Sequence, residues 1–207
     1  MVYEFSNLIN ELDVPRETSD KLQSYGRSLL KWQKAKNLVS NSTLDDMWRR
    51  HFLDSAQLAP KLRKVFGERP LTILDIGSGA GFPGLVLGAM GLGIAHLVES
   101  NGRKCTFMRH VSRETSAKAQ IHGVRIDELT PFPVDVITSR ACATVDQLLN
   151  WATAFLQYSP EFWLLKGETA EEELTQAQAC WSMKIDRFDS LSDPTGVILR
   201  LRSIKKR

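Results

Sequence analysis

The sequence is poor in cysteine and has no paired cysteine motif. Its three cysteines, Cys105, Cys142 and Cys180, lie far apart in a chain of 207 residues. Neither the spacing of a zinc site nor an even set of disulfide partners can be built from them. We therefore expect no metal site, reduced thiols and a cytoplasmic location.

Long hydrophobic runs and a targeting segment are also lacking. Residues 1–12 carry Glu4 and Glu11 and no basic stretch before an apolar core, unlike a secretory signal. The most apolar stretch, residues 83–98, is interrupted by glycines and by His96, and it is shorter than the roughly 20 residues that cross a bilayer. The sequence predicts a soluble protein without a membrane partner.

Charge of one sign is not in large excess. The chain has 27 Lys and Arg against 24 Asp and Glu, a formal net charge of +3. This balance permits a polyanionic partner without requiring one, so the distribution of charge has to decide. Since 43% of the residues are hydrophobic, the chain can fill the core of one domain with a small appendage.

Near the N-terminus, apolar residues recur with helical periodicity. Apolar side chains recur three and four positions apart, which predicts two amphipathic helices, and we expect a third helix over residues 44–58. The two apolar stripes are Phe5, Leu8, Ile9 and Leu12, and then Leu22, Tyr25, Leu29 and Trp32. We assign residues 1–66 to an N-terminal helical subdomain.

From Leu71 onward, short apolar runs alternate with helical segments. This alternation predicts an α/β, Rossmann-like domain over residues 67–207, with a mostly parallel sheet covered on both faces. Two final runs joined by "SDPTG" predict an antiparallel C-terminal hairpin. The seven expected strands are residues 71–76, 94–98, 119–122, 134–138, 162–165, 183–191 and 197–204, and the helices are residues 83–90, 103–116, 145–156 and 170–181.

The stretch "LDIGSGAGFPG", residues 74–84, follows the first of these strands. Its glycines allow a backbone that bends with positive φ or lies against a ligand, at the place where open α/β sheets bind ligands. Residues 79–84 satisfy the GxGxxG of dinucleotide sites, and residues 75–81 satisfy the D-x-G-x-G-x-G of S-adenosylmethionine enzymes. Gly79 belongs to both patterns. A third interpretation is that the glycines serve only close strand–helix packing.

Electrostatics favours S-adenosylmethionine over a nicotinamide dinucleotide. Pro83 removes an N–H donor from the helix start, where a pyrophosphate would bind, and Asp75 stands just before the loop. A carboxylate suits the cationic sulfonium and ammonium groups instead. Glu99 ends the second strand near the spacing that reaches ribose hydroxyls. Ile126 and Asp127 follow the third strand, where they can face the adenine.

Further motifs complete a resemblance that covers nearly the whole chain. They are Trp32 with "KNL" at 36–38, "RHFLDS" at 50–55, the glycine loop, "RID" at 125–127, "SRA" at 139–141 and "LKG" at 165–167. The sequence resembles the RsmG, or GidB, family of bacterial 16S ribosomal RNA methyltransferases. That resemblance implies the class I S-adenosylmethionine-dependent methyltransferase fold. It also implies methyl transfer to N7 of guanine 527, in the 530 loop, with 16S rRNA or the small ribosomal subunit as partner.

Carried over residue by residue, the resemblance implies five cofactor contacts. They come from Gly77 and Phe82 in the loop, from Ile126 and Asp127 after the third strand, and from Arg140 after the fourth. Asp127 is one methylene shorter than the Glu that is usual in the family.

Methylation at guanine N7 needs no general base, because N7 carries a lone pair and no proton. In-line positioning supplies much of the catalysis, and a nearby carboxylate or carbonyl offsets the charge that develops on the base. The chain has "TSRA" at residues 138–141 instead of the Asn/Asp-Pro-Pro-aromatic tetrad of amine methylation. Cys142 lacks a Pro-Cys motif, so we expect a small buried cysteine and no nucleophile.

Basic residues are the predicted RNA contacts. Arg140 and Lys166 follow strands at the ligand-binding edge, and we expect them to position the acceptor. The other candidates are Arg49, Arg50, Arg103, Lys104, Arg109, Arg113, Arg125, Lys205, Lys206 and Arg207. We expect His51 to make an intrahelical hydrogen bond or a packing contact, outside catalysis, and Trp32 and Trp48 to anchor the helical subdomain.

Other functions stay open from the sequence. One is a methyltransferase with a small-molecule or protein acceptor. From other classes come a ribosome-assembly module that holds the cofactor only for stability and a nicotinamide oxidoreductase. The intact loop, Glu99 and Asp127 disfavour a degenerate binder. We expect a monomer.

Overall fold

The computed structural model describes residues 3–207. Residues 1 and 2, where the expected helical subdomain begins, lie outside them. Two helices open the chain, α1 (Phe5–Glu11) and α2 (Arg16–Lys36). Helix α2 carries the whole second apolar stripe, and α1 carries the first except Leu12, which directly follows it. A short 3-10 helix (Asn41–Thr43) follows.

The third helical segment differs from the expected residues 44–58. It begins as a π-helix (Trp48–Leu53) and continues through α3 (Asp54–Ala56) and α4 (Leu58–Phe66). Pro60 does not end it, because proline is tolerated in the first turn of a helix, where its missing N–H has no partner to lose. Gly67, with φ of 71°, stops the helix instead.

A seven-stranded sheet forms the centre of the molecule. Its strands are β1 (Leu71–Ile76), β2 (Gly93–Val98), β3 (Ala119–His122), β4 (Val136–Arg140), β5 (Glu161–Lys166), β6 (Trp181–Asp189) and β7 (Val197–Lys206). The order across the sheet is β3-β2-β1-β4-β5-β7-β6. All neighbours among β1 to β5 pair in parallel, and β7 runs antiparallel to β5 and β6. The predicted fold class is confirmed.

Four helices connect the strands. They are α5 (Gly84–Ala89), α6 (Gly102–Thr115), α7 (Val145–Trp151) and α8 (Ala170–Cys180). The helix expected over residues 145–156 is shorter, because a 3-10 helix (Thr153–Tyr158) replaces its second half. Thr153 marks the change: its hydroxyl donates to the carbonyls of Leu149 and Asn150 and competes with the helical pattern.

Successive side chains of β1 point to opposite faces of the sheet, and each face has its own hydrophobic cluster. Leu71 and Ile73 belong to a cluster with α2, α5 and α6, whereas Leu74 and Ile76 belong to a cluster with α7 and α8. The N-terminal helices therefore pack on the α5–α6 face. The division of the chain at residue 66 stays a prediction. Across residues 3–207, none of the helices is long and apolar enough to cross a membrane.

Tryptophan side chains help to bind the N-terminal helices to one another and to α6. The ring of Trp48 lies 4.6 Å from Phe5 and 4.5 Å from Phe52, between ring centroids. Trp32 packs 5.8 Å from Phe107 of α6. Both residues therefore occupy the anchoring positions expected from the sequence.

Candidate functional site

A cavity of about 630 Å³ lies at the carboxyl edge of the sheet, where β1 separates connections that run in opposite directions. Six of the eight predicted cofactor-binding residues line it: Gly77, Gly79, Phe82, Glu99, Ile126 and Arg140. The side chains of Asp75 and Asp127 lie outside its lining. The facing wall is Asn37, Leu38, Val39, Ser40, Thr43 and His51.

The glycine loop needs glycine for more than one reason. Gly77 has φ of 70°, and a Cβ there would collide with Cys142 Sγ. Gly79 has φ of 59°, and a Cβ there would meet no heavy atom closer than the Gly77 carbonyl oxygen at 4.0 Å. Gly77 therefore permits close packing, whereas Gly79 leaves open space beside the cavity.

The third glycine of the GxGxxG pattern serves strand–helix packing. A Cβ on Gly84 would lie 2.6 Å from Asp75 Cβ and 2.5 Å from Leu97 Cδ2. Glycine thus lets α5 start directly against β1 and β2. For this position, the packing interpretation left open by the sequence is the one that the structure supports.

Most backbone donors of the loop are committed within the protein. The N–H groups of Gly77 and Ser78 donate to the Val98 carbonyl oxygen at 3.0 and 3.1 Å. Those of Gly81 and Phe82 donate to the carbonyl oxygen of Ser78 at 2.7 and 3.0 Å. Pyrophosphate recognition relies on free N–H groups at this kind of turn, so these committed donors are unsuited to it.

Asp75 is a correction to the sequence analysis, which placed its carboxylate beside a cationic ligand. The side chain is fully buried, accepts from Thr138 Oγ1 at 2.7 Å, and accepts from the Gly84 N–H at 3.2 Å. Because strand side chains alternate, Asp75 points with Ile73 toward α5. Burial raises the pKa of Asp75 to about 6. Its role is to hold the start of α5.

Glu99 is the carboxylate that faces the cavity. Its Oε2 accepts from the Gly79 N–H at 3.0 Å, and its Oε1 accepts from the Asn101 N–H at 2.7 Å. Each carboxylate oxygen accepts more than one hydrogen bond. Glu99 is therefore held rigidly and retains acceptor capacity for hydroxyl groups in the cavity.

The side chains of Ile126 and Asp127 lie in different surroundings. Both lie in a short 3-10 helix (Ile126–Glu128), and buried Ile126 lines the cavity. The Asp127 carboxylate is exposed and accepts from Arg125 Nε at 3.2 Å. The apolar side chain of Ile126 therefore borders the cavity, while the Asp127 side chain lies outside the lining.

Arg140, the last residue of β4, connects the sheet with the N-terminal helices. Its guanidinium lies 5.2 Å from the centroid of the Phe82 ring. Its Nη1 donates to the Arg50 carbonyl oxygen at 2.8 Å and to His51 Nδ1 at 3.0 Å, and it lies 3.5 Å from Asp54 Oδ2. Burial raises the pKa of Asp54, and the charge of Arg140 opposes that shift.

His51 connects Arg140 to the facing wall through hydrogen bonds of its two ring nitrogens. Because arginine can only donate, His51 Nδ1 accepts, and the proton of the neutral ring lies on Nε2. That Nε2 donates to Thr43 Oγ1 at 2.8 Å, whose hydroxyl donates to the Ser40 carbonyl oxygen at 2.7 Å. Burial and the nearby guanidinium of Arg140 lower the pKa of His51 to about 3. His51 thus makes a packing contact between distant segments.

A second cavity, of about 540 Å³, adjoins the first and shares Arg140, Ala141 and Cys142 with it. Lys166 lies in its wall, where Nζ donates to the Ala143 carbonyl oxygen at 2.5 Å and to Glu173 Oε2 at 2.7 Å. Both predicted positioning residues, Arg140 and Lys166, therefore line this second cavity.

Cys142 is exposed, which corrects the expectation of a buried cysteine. Ala141, with φ of 47°, turns the chain out of β4 so that Cys142 reaches the boundary of both cavities. Although the residue is exposed as a whole, its sulfur packs against Gly77, and this partial burial, together with the charges of Asp75 and Glu99, raises the pKa of the thiol. A protonated thiol is a poor nucleophile, so the expectation that Cys142 is no nucleophile is retained.

The structure divides the basic residues into groups. Several lie within ion-pair distance of carboxylates: Arg49 with Asp46, Arg50 with Asp193, Arg125 with Asp127, Arg140 with Asp54 and Lys166 with Glu173. Arg103 and Lys104 begin α6 at the same edge as the cavity, and neither has a carboxylate partner in residues 3–207. Arg103 borders a hollow with Trp32 and Lys36.

The C-terminal cations lie elsewhere. Strand β7 pairs Val197 with Lys166 at the carboxyl edge of β5, and Leu201 with Phe162 near its start. Lys205, Lys206 and Arg207 therefore continue to the opposite edge of the sheet, away from both cavities. Their expected RNA contact receives no support from this placement.

Sequence reasoning missed most of the facing wall. The segment of residues 37–40, with Thr43 and Trp151, lines the first cavity although none was a predicted site residue. The "KNL" motif marked this segment only through family resemblance. No pattern at helical or strand spacing indicates that residues 37–40 line the same cavity as Glu99, which lies far from them along the chain.

Comparison with known proteins agrees with this geometry. The family described as "rRNA small subunit methyltransferase G" (GidB) matches residues 18–193. A protein of that name from Rhodospirillum rubrum is 46% identical over 95% of this chain and 96% of its own length. One from Rhodospirillum centenum is 47% identical over 94% of this chain and 88% of its own.

Solved structures with similar folds are more distant in sequence. Magnesium protoporphyrin IX methyltransferase from Synechocystis, solved with bound SAM, has a TM-score of 0.62 at 9% identity, covering 86% of this chain and 97% of its own. A ribosomal protein L11 methylase from Lactobacillus delbrueckii has a TM-score of 0.54 at 14% identity, covering 74% and 78%. These likenesses show the fold. By its family match and its relatives, the chain belongs to the rRNA small subunit methyltransferase G, or GidB, family.

Proposed function

We propose that this protein transfers a methyl group from S-adenosylmethionine to N7 of guanine 527 in the 530 loop of 16S ribosomal RNA. The observation that carries the proposal is Glu99, anchored on the Gly79 N–H beside an open glycine loop whose N–H groups at Gly77, Ser78, Gly81 and Phe82 are committed. Membership of the family supports the RNA substrate. Such a substrate places the reaction in the cytoplasm, and we expect the protein to act as a monomer.

The cavity suits S-adenosylmethionine in size and chemistry. Its volume of about 630 Å³ lies within the roughly 300–1,000 Å³ of small-molecule sites. Glu99 has acceptor capacity for ribose hydroxyls, and buried Ile126 offers an apolar contact for adenine. Gly79 leaves room close to the backbone. We assign cofactor contacts to Gly77, Gly79, Phe82, Glu99, Ile126 and Arg140.

A nicotinamide dinucleotide suits the same cavity poorly. The Gly84 N–H at the start of α5 donates to Asp75, and Pro83 has no N–H to offer. The N–H groups of Gly77, Ser78, Gly81 and Phe82 are also committed. A pyrophosphate would have to displace hydrogen bonds that hold the loop together.

When bound, S-adenosylmethionine supplies an electrophilic methyl group on a sulfonium. The chain's own residues have to orient the acceptor and exclude water, because the N7 lone pair requires no base. Arg140 joins the wall of both cavities and is held by Asp54, His51 and the Arg50 carbonyl. We assign no acid–base role to His51, whose pKa is lowered to about 3, and no covalent role to Cys142, whose thiol stays protonated.

Methyl-labelled S-adenosylmethionine and small ribosomal subunits from a strain that lacks its own enzyme provide the test. After incubation with the purified protein, the rRNA is digested to nucleosides. Label in 7-methylguanosine, mapped to the 530 loop, is the expected result. Label in no nucleoside, on subunits or free 16S rRNA, in a protein that binds the cofactor would favour a small-molecule or protein acceptor instead.

A further inference from the structure

We infer that the second cavity receives the acceptor guanine and that Lys166 recognises its O6 oxygen. The inference rests on the proposed function and deepens it, because it names the group that selects guanine. The second cavity shares Arg140, Ala141 and Cys142 with the cofactor cavity. A base inside it therefore meets the reacting methyl group at that shared wall.

Size and access suit an unstacked base. Enzymes that modify a base take it out of the stack into a pocket of its own. The second cavity holds about 540 Å³, which is adequate for a purine with its sugar. It opens between the N-terminal ends of α7 and α8 and the turn of residues 190–196 between β6 and β7.

Lys166 is a buried cation with one donor left over. Its side chain is 7% exposed, and its ammonium group donates to the Ala143 carbonyl and to Glu173. Lysine carries three N–H donors, so one has no acceptor in residues 3–207. A buried ion pair contributes little to net stability compared with a well-packed apolar pair. Because Lys166 lies in the wall of the second cavity, its remaining N–H is available to a ligand there.

The position of Lys166 matches the guanine edge that reacts. Guanine presents N7 and O6 as neighbouring acceptors on one edge, whereas adenine has a donor amino group in place of O6. With N7 at the shared wall, O6 lies along the same wall. Lys166 follows Leu165, the strand partner of Arg140, and binds the carbonyl of Ala143, the residue after Cys142. Its free N–H is thus placed to donate to O6.

Glu173 prevents this cation from opposing the reaction. Methylation leaves a positive charge on the base, which an isolated ammonium would repel. Glu173 Oε2 accepts from Lys166 and from the Val145 N–H, and Oε1 accepts from Thr169 Oγ1. The Lys166–Glu173 pair therefore supplies a hydrogen-bond donor with no net charge. An adenine amino group facing it would meet a donor and be rejected.

The test compares acceptor analogues in reconstituted small subunits whose 16S rRNA carries guanine, inosine or 2-aminopurine at the target position. Inosine keeps O6 and N7, whereas 2-aminopurine keeps N7 and loses O6. Because a hydrogen bond to a charged group contributes about 1.5–3 kcal/mol, we expect the wild type to methylate guanine about 10- to 100-fold faster than 2-aminopurine. It should treat inosine like guanine.

The double variant Lys166→Met/Glu173→Met removes the donor, adds no other donor and keeps the net charge of the cavity. We expect its guanine to 2-aminopurine ratio to fall to about 1, with cofactor binding by calorimetry unchanged. Lys166→Arg, which keeps a donor, should retain a ratio above 1 and serves if the double variant does not fold. The exposed Lys184→Met is the matched control and should keep the wild-type ratio.

The possible failures are distinguishable. A wild-type ratio that the double variant leaves unchanged overturns the role of Lys166 and leaves the proposed function intact. A wild type that binds the cofactor but methylates none of the three RNAs overturns the proposed function, and this inference with it.

Discussion

At the residue scale, two glycines of one loop differ in what surrounds them. Both have positive φ, but only a Cβ on Gly77 would collide with Cys142. We expect Gly79→Ala to lower the free energy of unfolding by roughly 1–2 kcal/mol, the cost of a left-handed residue, and Gly77→Ala to lower it further. Urea denaturation measures both. Repeating them in a Cys142→Gly background should recover part of the loss for Gly77→Ala and none for Gly79→Ala; equal recovery would contradict this account.

Cys142 allows a second prediction at this scale. Its thiol lies at the boundary of both cavities, yet its raised pKa and the N7 chemistry leave it no covalent role. We expect Cys142→Ala to bind cofactor and to methylate small subunits within a few-fold of the wild type. The idea fails if methylation is lost while calorimetry shows normal cofactor binding.

At the element scale, the start of α5 depends on Gly84. A methyl group there would overlap Asp75 and Leu97, so α5 would have to move away from the sheet. We expect Gly84→Ala to cost about 1–3 kcal/mol of unfolding free energy, as overpacking does. Gly102 is the matched control, because it also begins a helix and a Cβ there meets nothing within 4 Å. Gly102→Ala should be neutral or stabilise; equal losses for both variants would refute the packing argument.

The bounds of the strands and helices also show which elements could be predicted from sequence patterns. The bounds of β1 and β3 agree with the expected residues 71–76 and 119–122. The apolar run of β1 is typical of a buried strand, whereas in β3 apolar Ala119 and Ile121 alternate with polar residues. The helix expected over 44–58 was misplaced, because its π-helical start depends on packing of Trp48 and Phe52 against Phe5 and Phe82. Local periodicity does not record such contacts.

At the scale of the whole molecule, stability depends on pH through His51. Its pKa is about 3 in the folded protein and about 6.5 when unfolded. As the pH falls below about 6.5, the unfolded chain takes up a proton that the folded chain does not, so stability is lost. The pKa of Asp75, raised to about 6, acts in the opposite direction between about pH 6 and its unfolded value near 4.

A variant isolates the histidine contribution. His51→Gln keeps an acceptor and a donor but cannot titrate. We expect the wild type to lose about 1–2 kcal/mol more unfolding free energy than His51→Gln between pH 7 and pH 5. Denaturant titrations at the two pH values measure the difference. Equal losses of unfolding free energy in the two proteins would show that His51 does not cause this pH dependence.

The whole molecule also joins segments that are distant in the sequence. Ser192 Oγ donates to Asp54 Oδ1 at 2.6 Å, and Arg50 pairs with Asp193 at 2.6 Å. The turn between β6 and β7 thereby supports the helix that holds Arg140. These contacts join the N-terminal helices, the carboxyl end of β4 and the turn between β6 and β7.

Local sequence patterns were sufficient to predict the order of strands and helices along the chain, the glycine loop, Glu99 and the family. Each of these is recorded in residues close together along the chain, through periodicity, backbone freedom or motif spacing. Tertiary structure alone decided that Asp75 faces α5, that Cys142 is exposed, and that Lys166 borders a second cavity. These outcomes depend on which face of a strand is covered and on which distant side chains meet there. Neighbours in sequence do not specify that packing.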